Sequence, residues 1–217
     1  MAGNFLGCTS EGFTGMIMIY TGTEKIDPTK YSLSDLQNHL GDYLITYDVA
    51  RKSNKVNMTH EAHSKLWTHV ASQFEGTHVY DEIFSMSSIN GGKIGFQNAD
   101  MASWATEFYP NRPDIKPKII GTGGYDYEST VENIALSIIV HEWYSHGMKH
   151  VRNKYRSHRL AYKNVINFKM LWNKATDRYK RFILNELLEY TTKETGRKTV
   201  DKLYRSLYYR YVIKYGK

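Results

Sequence analysis

The stretch Ser129-Thr130-Val131-Glu132-Asn133-Ile134-Ala135-Leu136-Ser137-Ile138-Ile139-Val140-His141-Glu142-Trp143-Tyr144-Ser145-His146-Gly147 decides how this chain is read. Its start, Ser-Thr-Val-Glu, matches a capping box, in which Ser129 and Glu132 satisfy each other's orphan amides. Val131, Ile134, Ala135, Ile138 and Ile139 then recur at helical spacing and form a broad apolar face. Gly147 marks the expected stop, because glycine is the usual residue just past a helix end. The helix ends in two histidines that flank a carboxylate. The His-Glu-x-x-His pattern of zinc peptidases sets two imidazoles one turn apart, with Glu poised to activate water beside the metal.

Here the second His lies one residue further on. On a regular helix a step of five residues turns the side chain by about 140°, against about 40° for a step of four. Chelation by His141 and His146 therefore requires an irregularity. A π-bulge, with i→i+5 hydrogen bonds, is one solution. Unwinding at Ser145-His146-Gly147 is the other. A catalytic zinc also needs a third protein ligand. His150, His158 and Glu186 are the candidates. His158 is favoured, because the twelve residues after His146 are enough to turn a corner and bring the next helix back. Structural roles are the expectation for His39, His60, His63, His69 and His78, with a surface pair at His60 and His63 as a lesser metal candidate.

Outward from this segment the chain divides in two. After Ser129 it reads as almost wholly helical, with further helices over Ser157–Trp172, Asp177–Thr191 and Val200–Ile213. Before it the texture is mixed. Met16-Ile17-Met18-Ile19-Tyr20 reads as a buried strand between glycines. Leu33, Leu36 and Leu40 mark a helix with Ser32 as N-cap and Gly41 as stop. Thr59–Phe74 repeats apolar residues every four positions and reads as a helix ending at Gly76. Lys52–Asn57 reads as a loop and Gly121–Gly124 as a turn. Lys93–Phe96 and Lys118–Gly121 read as short strands, with Pro110, Pro113 and Pro117 marking an irregular connection between them. The expectation is an α+β fold in one domain, 1–217. Short N-terminal strands pack with helices over 1–128, followed by a helical half over 129–217, a minimal zincin-like arrangement.

Composition sets the outer limits. A chain of 217 residues has material for a full core. The one cysteine, Cys8, excludes an internal disulfide and a cysteine zinc site. The longest apolar run, Met16–Tyr20, is too short to span a membrane, and no secretory signal pattern opens the chain. The net charge of +7 is unevenly placed: 10 basic and 17 acidic residues in 1–148 give −7, while 19 basic and 5 acidic in 149–217 give +14. Such a tail favours an anionic partner, whether nucleic acid, an envelope substrate or an acidic protein.

The residues also resemble a family. Asn4–Gly15, Trp67–Phe96, Thr130–Gly147 and Ser157-His158-Arg159-Leu160-Ala161-Tyr162 are similar to C-terminal toxin modules of Rhs-type polymorphic toxins from Bacteroides and its relatives. The pairing of His-Glu-x-x-x-His-Gly with a downstream His-x-Leu-Ala-Tyr carries the likeness. It implies a secreted antibacterial effector delivered into a target cell, a metallopeptidase-like centre and a dedicated immunity protein. It further implies that His141, His146 and His158 are ligands and Glu142 is the base. Arg159 stands where related modules often carry a second His.

The expected function is then zinc-dependent hydrolysis of amide bonds in protein or in cell-wall peptide. Tyr162, on the face of His158 one turn on, is the preferred oxyanion donor over Arg159. Lys93–Phe96 or Lys118–Gly121 would pair with an extended peptide. A metal-dependent nuclease using the basic tail is the second expectation. A binding module with structural histidines is the third.

Overall fold

A computed structural model of the chain describes residues 5–52, 62, 66, 69–70, 73, 106–108, 115–117, 127–148, 151–199 and 201–214. The architecture is α+β, with a small antiparallel sheet near the N-terminus and a helical C-terminal half.

Strand β1 (Met18–Tyr20) pairs antiparallel with β2 (Leu44–Thr46), with Ile19 opposite Ile45. Helix α1 (Leu33–Leu40) connects them. Ser32 and Asp35 form its capping box, and Leu36 and Leu40 turn inward. Gly41 stops it at φ +48°, a conformation costly for any residue with a Cβ. Helix α2 (Tyr47–Lys52) follows directly, with Tyr47 fully buried. Of the expected helix over Thr59–Phe74, Ala62, Leu66, His69 and Val70 are described and helical. Ala62 and Val70 are buried. The rest of that helix, Gly76, the loop after Lys52, the strand Lys93–Phe96, the strand Lys118–Gly121 and the turn Gly121–Gly124 lie outside the described residues.

A second antiparallel pair lies where the prolines predicted irregular chain. Strand β3 (Thr106–Phe108) pairs with β4 (Ile115–Pro117), with Thr106 opposite Pro117. Proline is tolerated there because an end or edge position of a strand needs no N–H for the ladder. This hairpin packs beside the histidine-bearing helix.

That helix corrects the expected cap and takes one of the two windings left open. Its N-cap is Thr130, whose Oγ1 accepts from the Asn133 amide at 3.2 Å, so the capping box of Ser129 and Glu132 does not form. Both residues are taken by distant partners. The Ser129 amide donates to Asp48 at 2.8 Å. The Glu132 carboxylate accepts from the Gly15 amide at 3.0 Å and from the Thr14 hydroxyl. Helix α3 is α-helical only over Val131–Ala135; it continues as a π-helix from Leu136 to Met148. Ile134 through Leu136 and Ile138 through Val140 are all buried, as expected of a helix enclosed on several sides.

Helix α4 (Lys154–Asn167) starts a turn earlier than Ser157, because Asn153 caps it by accepting from Arg156 at 2.9 Å. It also ends earlier. Phe168 leaves helical geometry at ψ 72°, and α5 (Lys169–Trp172) is a separate turn. Helix α6 (Asp177–Thr195) is capped by Thr176 and ends at Gly196 in the left-handed region. The tail expected as one helix is composite: a 3-10 turn (Lys202–Tyr204), α7 (Arg205–Tyr208) and a π-turn (Tyr209–Lys214). Helix α4 packs against both the π-helix and α6. One apolar cluster joins Ile138, Ile139, Val165, Ile166, Ile183 and Leu184 to Ile19, Tyr47 and Ala50 of the N-terminal part. That packing carries His158 to the end of the π-helix.

Candidate metal centre

His141 and His146 lie one π-turn apart. Hydrogen bonds of the i→i+5 kind bring residues five apart onto one face, so the longer spacing becomes the one that aligns the two rings. Their Nε2 atoms are 3.3 Å apart. Two nitrogens on a tetrahedral zinc, at about 2.0–2.1 Å each, stand about 3.3–3.4 Å apart. The Ser145 hydroxyl donates to the Val140 carbonyl, five residues back, at 2.6 Å, and accepts from Asn164 of α4 at 3.1 Å. This pins the turn that separates the histidines.

His158 reaches the pair from α4. Its ring centroid is 4.6 Å from that of His146 and 5.9 Å from that of His141. One ligand nitrogen from each of the three residues lies within 4.8 Å of the others. Two of the rings have their far nitrogens occupied. His158 Nδ1 lies 3.1 Å from the Lys154 carbonyl. A carbonyl only accepts, so Nδ1 carries the proton and Nε2 keeps its lone pair. His146 Nδ1 meets the Ser157 hydroxyl at 2.9 Å. Metal-ligating histidines are held in this way, the outer nitrogen fixing tautomer and ring orientation.

Burial pushes the His141 imidazole well below its ordinary pKa, and neighbouring His146 and His158 push it the same way. Burial also lowers His158, with Lys154 and Lys193 adding repulsion against the Lys154 carbonyl bond that raises it. Neutral imidazole is the ligating form, so for His141 and His158 the shifts favour the protonation state a cation needs. Three imidazoles without a thiolate suit zinc, copper, iron or nickel.

Glu142 is buried, with Oε1 3.9 Å from His141 Nε2. The Tyr162 ring lies against His141 at 4.6 Å, and its hydroxyl donates to Glu186 Oε2 at 3.2 Å. Burial and nearby Glu189 raise the Glu186 carboxyl, while the Tyr162 bond pulls it down.

Of the three candidates for the third ligand, His158 joins the pair. Glu186 is engaged by Tyr162 and stands outside the three-histidine group. His150 lies outside the described residues. Arg159 forms a two-nitrogen ion pair with Glu194, with Nη2 3.3 Å from Oε1, and is thereby turned to α6. His39 stacks on Tyr31 and His69 on Phe5. His60, His63 and His78 lie outside the described residues.

Three participants escaped sequence reasoning: Ser157, the Lys154 carbonyl and Tyr190, which stacks on His158 with centroids 4.6 Å apart at 9°. Ser157 carries a faint signal, since it immediately precedes a candidate ligand. Tyr190 carries none, because its relation to His158 spans two helices. No protein-family model, curated protein or solved structure matches this chain.

Proposed function

We propose that His141, His146 and His158 hold a catalytic zinc, and that the chain hydrolyses amide bonds in protein or in cell-wall peptide as an antibacterial effector domain. The observation that carries the reading is the convergence of three imidazoles beside one buried carboxylate. Three protein ligands leave a tetrahedral cation one open position, the arrangement of catalytic rather than structural sites. When bound, the metal supplies a Lewis acid that makes water nucleophilic near neutral pH. Glu142 accepts the proton of the attacking water and passes it to the leaving amine. The Tyr162 hydroxyl is the proposed donor to the developing oxyanion, exchanging Glu186 for substrate as charge builds. The β3–β4 hairpin beside the π-helix supports an extended peptide as substrate, because a strand edge binds one through main-chain hydrogen bonds. The basic tail fits an acidic immunity protein in the same reading, in line with the likeness to Rhs-type toxin modules.

Elemental analysis of the purified protein tests the metal. Near-equimolar zinc is expected, lost in His141→Ala. A metal-free protein whose stability is unaffected by chelator would overturn the site. Glu142→Gln is expected to keep the zinc and lose about 10²–10⁴-fold in turnover of protein or peptidoglycan substrate. Undiminished activity would remove Glu142 as the base. Cleavage of plasmid or RNA in place of peptide would move the chain to the nuclease class.

A further inference from the structure

The three rings of the cluster are not held equally. His141 is buried, with Tyr162 and His146 against it. His146 is tied to Ser157. His158 is only half-buried, and its Nδ1 bond runs to a carbonyl on its own helix, four residues back. That bond selects the tautomer but is local, so it leaves the plane of the ring to be set by something else. Rings of His141, His146 and Tyr162 all meet His158 at steep tilts, between 45° and 62°. Among the described residues one ring lies parallel to it, that of Tyr190 on α6.

We infer that Tyr190 is the positioning residue of His158: its flat face holds the imidazole with Nε2 turned to the other two histidines. This rests on the proposed metal site for its consequence, though not for its geometry. Helix α6 contributes no ligand, yet three of its residues at successive four-residue steps each meet α4. Glu186 accepts from Tyr162, Tyr190 stacks on His158, and Glu194 pairs with Arg159. The apolar side of α6, with Ile183, Leu184 and Leu187, is anchored in the core. Tyr190 is thus a rigid support rather than a mobile surface ring. Lys193, 4.9 Å from its centroid, adds a cation to the same ring. Outer residues that orient a ligand are worth about 10–100-fold in metal affinity.

Two variants separate the ring from mere bulk. Tyr190→Phe keeps the flat face and Tyr190→Leu keeps apolar volume without it. Both are half-buried changes whose folding is checked by thermal unfolding. In the metal-free protein, nuclear Overhauser contacts from the His158 ring to His141 and His146 are expected to report one ring orientation in wild type and Tyr190→Phe. Averaging over ring orientations, with those contacts weakened, is expected in Tyr190→Leu. Zinc affinity, read by chelator competition, is expected to match wild type in Tyr190→Phe and fall about 10–100-fold in Tyr190→Leu. Unchanged His158 signals in Tyr190→Leu would overturn the inference, whatever zinc does. A wild type that binds no zinc while Tyr190→Leu still loosens His158 would overturn the metal reading and leave Tyr190 as the support of that ring.

Discussion

At the scale of single residues, the site depends on where protons sit. Ser157 and the Lys154 carbonyl occupy the outer nitrogens of His146 and His158, so the inner nitrogens are left for a cation. Ser157→Ala removes the hydroxyl that meets His146 Nδ1 at 2.9 Å in a largely buried setting. Zinc affinity is expected to fall about 10–100-fold, measured against a chelator of known strength, and the metal-free protein to lose about 1–3 kcal/mol in denaturant unfolding. The candidate ligands were legible in the chain because histidines around a glutamate are rare and their chemistry is local to the side chain. Their supports were not legible. A serine or a tyrosine is common, and only its neighbour in space gives it a role.

Among the elements, the π-helix matters most. Leu136–Met148 widens each turn, and Ser145 sits where the extra residue is absorbed, bridging Val140 and Asn164. Ser145→Ala leaves the Asn164 amide without that acceptor in a buried setting. The expected cost is about 1–3 kcal/mol in denaturant unfolding. Sequence reasoning reached the π-turn as one of two solutions, because the five-residue spacing demands some irregularity. It could not choose between them, since apolar residues on all sides of a helix are compatible with either winding. The α4–α6 contact permits a prediction in pH. The hydrogen bond from Arg159 holds the Glu194 carboxyl below its ordinary range. A depressed folded pKa means the stabilisation is present above about pH 4.3 and lost as pH falls through the lower folded value. Wild type is therefore expected to exceed Glu194→Gln by about 1 kcal/mol at neutral pH. The two unfolding curves should converge in acid.

For the molecule as a whole, the N-terminal part and the helical half are joined by buried polar contacts as well as by a shared apolar cluster. Glu132, 3% exposed, receives the Gly15 amide and the Thr14 hydroxyl, and the Val131 amide donates back to the Gly15 carbonyl. Met16 bridges to Thr130 in the same place. Glu132→Ala should cost about 3 kcal/mol, because a charged acceptor is lost and its donors stay buried. Chemical denaturation measures it; a loss below 1 kcal/mol on the scale of an ordinary surface change would remove this joint as a major contact. The charge also takes a different meaning at this scale. Asp177, Glu189, Glu194 and Asp201 in the basic tail are each drawn to a lysine or arginine, and Glu186 to Tyr162. The acidic groups there are thus used internally. Among the described residues no helix is long and apolar enough to cross a membrane.

The sequence by itself determined what depends on near neighbours. The caps at Ser32 and Gly41, the helix that carries His141, and the set from which ligands can be drawn all follow from residues a few positions apart. Tertiary structure decided what depends on distant partners. Glu132 looks like half of a capping box until Gly15, 117 positions away, takes its carboxylate. His158, His150 and Glu186 are chemically able alternatives until the packing of α4 delivers His158. Local rules rank what a side chain can do. A buried polar group then binds whichever partner the fold brings within reach, because leaving it unpaired costs more than any local preference is worth.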